Sequence, residues 1–261
     1  MKIQFLNPNI TAQDIKSVVR ALKSGWLVLG GETKNFEKKF AGYLGVQEIV
    51  SVNSCTSALH LSLIAAGVRK GDEIITTPLS YVATSNAILY CGAKPVFVDV
   101  EPETGLIDAN KIEKAITKKT KAILPVHLYG QMADMKKIKK IADKYDLKII
   151  EDAAHAIEAR RDGVRPGEIG LAACFSFHVA KNITAGQGGA LAVNDAAIAS
   201  EARLLRRDGV RNVGPFRLME ILGHKYLMTD FQAAMLSSQL NRIDRQHKKR
   251  EAIYKKYVRS F

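Results

Sequence analysis

At 261 residues, 47% hydrophobic and 25% charged, the chain has the balance of a folded globular protein, which excludes a disordered or fibrous one; its length suits one full core and the start of a second. The formal charge of +13 raises nucleic-acid binding, but basic residues fall mostly on predicted helix faces, as in Met135–Lys140 where Ile138 keeps a core stripe, so the excess reads as a solvated surface that also attracts a polyanionic small substrate. Cys55, Cys91 and Cys174 form no CxxC pair, which argues against a disulfide framework or a metal site and fits the cytoplasm, and no stretch suits a membrane span or a secretory leader.

In chain order, Thr11 reads as an N-cap followed by Ile15, Val18, Val19 and Leu22 at helical spacing. Short apolar or β-branched runs follow at Glu48–Val52, Glu73–Thr77, Pro95–Val98, Ala122–Val126, Leu147–Ile150, Ala172–Phe177 and Gly189–Val193. Helical patterns at 56–66, 80–90, 109–117, 133–145 and 196–207 separate most of them. Strands without inside–outside alternation, interleaved with helices, predict a mostly parallel sheet of about seven strands covered on both faces. From Thr229 one long helical pattern runs to Phe261, turning basic at Arg242–Arg250; its later apolar residues, Ile253, Tyr257 and Val258, call for an oligomer or a further domain to cover them.

Four segments carry residues suited to chemistry. In Phe175–Gly189 a lysine, Lys181, stands between two apolar strands beside a glycine-rich turn; partial burial near cations makes such an amine a nucleophile toward an aldehyde, and a plain hairpin lysine is the alternative. In Leu147–Ala156 a strand runs into Glu151, Asp152 and His155, where a carboxylate can pair with a pyridinium nitrogen or simply cap the next helix. In Val52–Leu61 a strand gives way to a helix through Ser54, Thr56 and Ser57, a composition that suits a phosphate or ordinary capping. In Thr76–Thr84, Tyr81 stands at a strand-to-helix junction, where it can stack on a planar ring or pack against the core.

Taken together, the FSFHxxKN, EDAAHA, Thr-Ser-Ala-Leu-His and Pro-x-Ser-Tyr-Val-Ala-Thr runs resemble the signature of the DegT/DnrJ/StrS sugar aminotransferases, over essentially the whole chain. Weaker matches are Gly25-Trp26 with Gly30-Gly31, Val126–Gln131 and Gly223–Ala234. The resemblance implies an α/β, three-layer αβα large domain of fold type I that binds pyridoxal 5′-phosphate. Lys181 would hold the cofactor as a Schiff base and shuttle a proton, and Asp152 would bond the pyridine nitrogen. Tyr81 would cover the ring, with His155 beside it, while Thr56, Ser57 and Ser176 would hold the phosphate. Lys225 would reach the phosphate from a neighbouring subunit, implying a homodimer with shared sites. The implied reaction takes an amino group from L-glutamate through the pyridoxamine 5′-phosphate form to a keto group on a nucleotide-linked deoxysugar.

Two positions depart from the common pattern: Gln187 stands where Glu is expected and Leu227 where Arg or Asn is usual. Members of the family continue past the position of Phe261. The expected division is therefore a large cofactor-binding domain over 1–240, then a helix over 241–261 leading toward a small C-terminal domain that is absent. The competing expectation is a truncated, non-catalytic or regulatory relative that keeps the fold.

Overall fold

The computed structural model describes residues 6–260. Residues 1–5, read above as the opening of a non-secretory N-terminus, and Phe261, the end of the last predicted helix, lie outside the described residues. The chain begins with α1 (Ala12–Lys23) and α2 (Gly31–Leu44), then alternates as β1 (Glu48–Val52), α3 (Cys55–Ala65), β2 (Glu73–Thr76), α4 (Ala83–Tyr90) and β3 (Lys94–Phe97). It continues through α5 (Ala109–Ile112), β4 (Thr120–Ile123), α6 (Met135–Lys144), β5 (Lys148–Asp152), β6 (Ala172–Ser176), β7 (Gly189–Val193) and α7 (Ala196–Leu205). A hairpin of β8 (Val210–Val213) and β9 (Phe216–Met219) precedes α8 (Asp230–Leu240) and α9 (Ile243–Ser260).

Seven strands form one sheet in the order β1-β7-β6-β5-β4-β2-β3. All pairings are parallel except those of β7, which runs antiparallel to both β1 and β6. Successive residues of each strand enter opposite layers, as period-2 geometry requires. Val50, Ile150, Cys174 and Leu191 face a core closed by α3, α4 and α7. On the other side Ile49, Phe175 and Ala190 pack with Phe36 and Phe40 of α2 and Leu236 of α8, and Ile149 packs with Ile138 of α6. Both faces are covered, so the α/β, three-layer αβα expectation holds.

Several elements differ from the sequence reading. Helix α1 forms with the expected Thr11 N-cap, which Asp14 completes as a capping box, but its apolar stripe faces outward: Ile15 is 58% exposed and Leu22 50%, while Asp14, Ser17 and Ala21 are buried. The reason is a buried ion pair. The Arg242 guanidinium donates to both Asp14 oxygens at 2.7 and 2.6 Å, fixing that face toward the C-terminal helices. The same contact explains why the final helix is not continuous: α8 ends at Leu240, and Arg242 turns back toward Asp14 and the Asn9 carbonyl before α9 begins. Strand β5 also runs further than expected. Glu151 and Asp152 lie within it, paired in register with Ala173 and Cys174 of β6.

Helix α2 has no counterpart among the predicted elements. Its N-terminus opens on Gly30 and Gly31 with no local side-chain cap. The cap comes from Asp230, the first residue of α8, which accepts from the Gly30 N–H at 2.7 Å, the Glu32 N–H at 3.2 Å and the Thr33 hydroxyl at 2.5 Å. Removing this carboxylate strands three donors, so Asp230→Ala is expected to cost about 2 kcal/mol. Chemical denaturation would read it, with Asp230→Asn recovering part of the loss.

Candidate functional site

A cavity of about 580 Å³ opens at the C-terminal end of the parallel strands, where ligands of open α/β sheets bind. Asp152, the last residue of β5, is one wall and is only 6% exposed. Its Oδ2 accepts from the Thr84 hydroxyl of α4 at 2.7 Å and its Oδ1 from the Ala154 N–H at 3.2 Å. Because the Thr84 proton goes to Asp152, the Ser80 hydroxyl, 2.7 Å away, donates to Thr84. The carboxylate is therefore aimed by a relay reaching back to the loop before α4. Its main chain is held too: the Asp152 N–H donates to the Pro125 carbonyl, and the His127 N–H donates to the Asp152 carbonyl, each at 2.9 Å.

Lys181 enters from segment 177–188, the connection between antiparallel neighbours β6 and β7. The Phe177 and Val179 N–H groups donate to the Gly188 and Gly186 carbonyls, and Gln239 of α8 bonds Thr184 through both its N–H and its carbonyl. Burial lowers the lysine's proton affinity below its ordinary value, while nearby Cys55 and Asp152 act the other way. Cys55 also lines the cavity, but burial pushes its thiol well up, so it is held protonated rather than as a nucleophile.

The start of α3 forms another wall. Ser54 caps it by accepting from the Ser57 N–H at 3.1 Å, and Ser54, Cys55 and Thr56 line the cavity. The antiparallel strand makes this possible, because β7 passes so close that a Cβ on Gly189 would lie 2.3 Å from the Ser54 carbonyl carbon.

The cavity brings together six of the eight residues that the resemblance assigned to the cofactor: Thr56, Tyr81, Asp152, His155, Ser176 and Lys181. Tyr81 stands at the mouth, 77% exposed. His155 stacks on Tyr129, ring centroids 5.6 Å apart and planes within 10°, and burial lowers its proton affinity, followed by Lys181, with Asp152 opposing. Ser57 is buried behind the helix cap, with its hydroxyl donated to Asn53 at 2.7 Å, and does not line the cavity. Lys225 also lies outside it, exposed and paired with Asp208 at 2.7 Å.

Sequence reasoning missed the parts played by Thr84 and Tyr129 and the pairing of His127 with Glu151. Thr84 sat inside a quoted motif but had no visible partner. Tyr129 adopts a left-handed backbone, φ +52°, that its sequence does not announce. His127, which lines the cavity, and Glu151 behind it form a fully buried pair, Nε2 to Oε2 at 2.8 Å. The Thr84 contact can be tested directly: Thr84→Val keeps the shape but loses the bond to Asp152. We expect about 1 kcal/mol, or roughly fivefold, weaker pyridoxal 5′-phosphate binding by absorbance titration.

The sequence pattern of the DegT/DnrJ/EryC1/StrS aminotransferase family matches residues 8–261. GDP-perosamine synthase of Caulobacter vibrioides is 42% identical over 255 residues, covering 97% of this chain and 68% of that one. The spore coat polysaccharide biosynthesis protein SpsC of Bacillus subtilis is 41% identical over 263 residues, with the same coverage of 97% and 68%. Among solved structures, S. venezuelae DesV superposes with a TM-score of 0.91 at 38% identity, covering 95% of this chain and 66% of its own. The pyridoxal-phosphate form of the putative sugar aminotransferase Spr1654 of Streptococcus pneumoniae gives 0.95 at 31% identity, covering 100% and 72%. The chain thus spans about two thirds of the length of these relatives. With a fold-type-I sheet, a lysine and a carboxylate meeting at its strand ends and a family pattern running along nearly every residue, this chain belongs to the DegT/DnrJ/EryC1/StrS aminotransferase family.

Proposed function

We propose that this protein binds pyridoxal 5′-phosphate and transfers an amino group from L-glutamate to a keto group of a nucleotide-linked deoxysugar, acting in the cytoplasm as a homodimer. The observation that carries the reading is the convergence of Lys181, lowered in proton affinity by burial, with a doubly hydrogen-bonded Asp152 in a cavity walled by a helix start.

The donor set fits the cofactor. Asp152 is aimed to hold a proton at a pyridine nitrogen, and the polar start of α3, with Thr56 and Ser176, suits a phosphate. Tyr81 closes over a ring face and His155 flanks it. When bound, the cofactor supplies an electron sink for breaking and making bonds to the amine-bearing carbon. Lys181 Nζ takes a proton from that carbon in one half-reaction and returns one in the other, and the pyridoxamine 5′-phosphate form links the two halves. Ser57 supports the helix start from behind. We assign the described residues up to 240 to the cofactor-binding domain and α9, Ile243–Ser260, to the helix leading out of it. Lys225, outside its own cavity, serves a second copy of the chain.

The test is the visible spectrum of the purified protein with pyridoxal 5′-phosphate, before and after L-glutamate. A protein-dependent band that bleaches with glutamate supports the reading. A protein that folds but develops no band overturns it.

A further inference from the structure

Three histidines line the cavity: His127, His155 and His178. Each holds its Nδ1 within hydrogen-bond reach of a main-chain N–H, that of Ala133 at 3.2 Å, Tyr129 at 3.3 Å and Ala180 at 3.3 Å respectively. A main-chain N–H can only donate, so each Nδ1 accepts and the proton of the neutral ring sits on Nε2. Three separate loops thus arrive at one tautomer. His127 commits its Nε2–H to Glu151 and is part of the wall. For His155 and His178 no protein partner at Nε2 occurs among the described residues.

These two remaining donors are mounted differently. His155 flanks Asp152, with its ring flat against Tyr129. His178 belongs to the lysine loop: its carbonyl accepts the Lys181 N–H at 2.9 Å, and its own N–H donates to the Ser176 hydroxyl at 3.4 Å. One turn therefore carries both the imidazole and the amine. A neutral donor suits this place, because a second cation beside Lys181 would repel its ammonium form, whereas an N–H dipole holds an oxygen without adding charge.

We propose that His178 is a substrate-binding residue of this site, its Nε2–H donating to an oxygen acceptor, carboxylate or hydroxyl, of the molecule whose amine or keto carbon Lys181 serves. This rests on the aminotransferase reading above. The acceptor is either the carboxylate of the amino-acid donor or a hydroxyl of the sugar, and the two are separable by experiment.

Nitrogen-15 correlation spectra of the cofactor-free protein would report the tautomers without any turnover. The expected result is Nε2–H at all three histidines; Nδ1–H at His178 overturns the proposal. His178→Gln and His178→Asn would then be compared with wild type in single-turnover bleaching, using L-glutamate as one amine and GDP-perosamine as the other. A glutamine amide nitrogen falls near the place of Nε2, an asparagine's near Nδ1. The Asn variant is expected to need about tenfold or more of one amine, with Gln within about threefold of wild type. The amine affected identifies the oxygen held. Unchanged His155 and His127 signals in the Asn variant would show that the cavity is intact. An Asn variant that matches wild type with both amines overturns the proposal. A wild-type protein that develops no cofactor band overturns the parent reading and this one with it, while the nitrogen spectra still report the tautomer.

Discussion

Lys181→Ala is expected to abolish the protein-dependent visible band with pyridoxal 5′-phosphate and to slow amine transfer by on the order of 10²–10⁴-fold, the usual worth of a positioned proton carrier. No neighbouring amine can substitute, because segment 177–188 delivers this one side chain between β6 and β7 into the cavity. The fold should survive, since Lys181 is partly exposed and none of the three core clusters includes it. A far-ultraviolet spectrum and denaturation midpoint close to wild type would separate lost chemistry from lost structure. The wild-type pH profile carries a second expectation. Burial favours the neutral amine, so attachment of the cofactor should begin at lower pH than for a free lysine side chain. A profile centred at or above the ordinary lysine value would contradict the described environment.

Glu151→Ala is expected to lower stability by about 3–5 kcal/mol, the largest single loss anticipated outside the apolar core. Glu151 is fully buried and accepts three bonds: His127 Nε2–H at 2.8 Å, the Gly167 N–H at 3.1 Å and the Gly170 N–H at 3.0 Å. Alanine leaves all three donors in the interior without an acceptor. Glutamine, nearly the same size, should not rescue it fully. Its oxygen can serve the glycines, but its amide then faces the His127 Nε2–H donor to donor, and reversing the imidazole would set the new Nδ1–H against the Ala133 N–H. Urea titration should therefore order the proteins wild type, Gln, Ala; an Ala variant within about 1 kcal/mol of wild type would show that water or another group satisfies the donors. The Gln variant should also bind the cofactor less well, because His127 hydrogen-bonds the Asp152 main chain.

What could be read from sequence divides along the range of the interactions involved. Strands β1 and β7 were legible to the residue, since their apolar runs are local and buried on both faces. The cavity residues Thr56, Asp152, Ser176 and Lys181 were legible because each sits at a strand end, at a helix start or in the glycine-rich connection between two strands, within a recognisable run. Helix α1 was legible as a helix, yet its buried face was not, because a pattern of apolar residues cannot foresee that Asp14 meets Arg242. Helix α2 lacked a local start signal, its cap lying 200 residues away in Asp230. The same holds within the site. Thr84, Tyr129 and the His127–Glu151 pair acquire meaning only when separate loops converge, whereas Ser57 looked like a ligand but is committed to Asn53. Lys225, which the resemblance assigned to a neighbouring subunit's site, lies outside its own cavity.

The union of Asp14 with Arg242 spans 228 positions, and this has a consequence for how the chain comes into being. At about 5–20 residues per second, roughly 10–45 s separate the synthesis of one partner from that of the other. Throughout that interval α1 cannot dock in its final place without burying a lone carboxylate, a penalty of several kcal/mol that keeps the helix in water. Arrival of the arginine turns the penalty into a clamp. Helix α1 is thus among the last elements to be seated, since both α8, on which it packs, and the arginine that neutralises Asp14 are made near the end of synthesis.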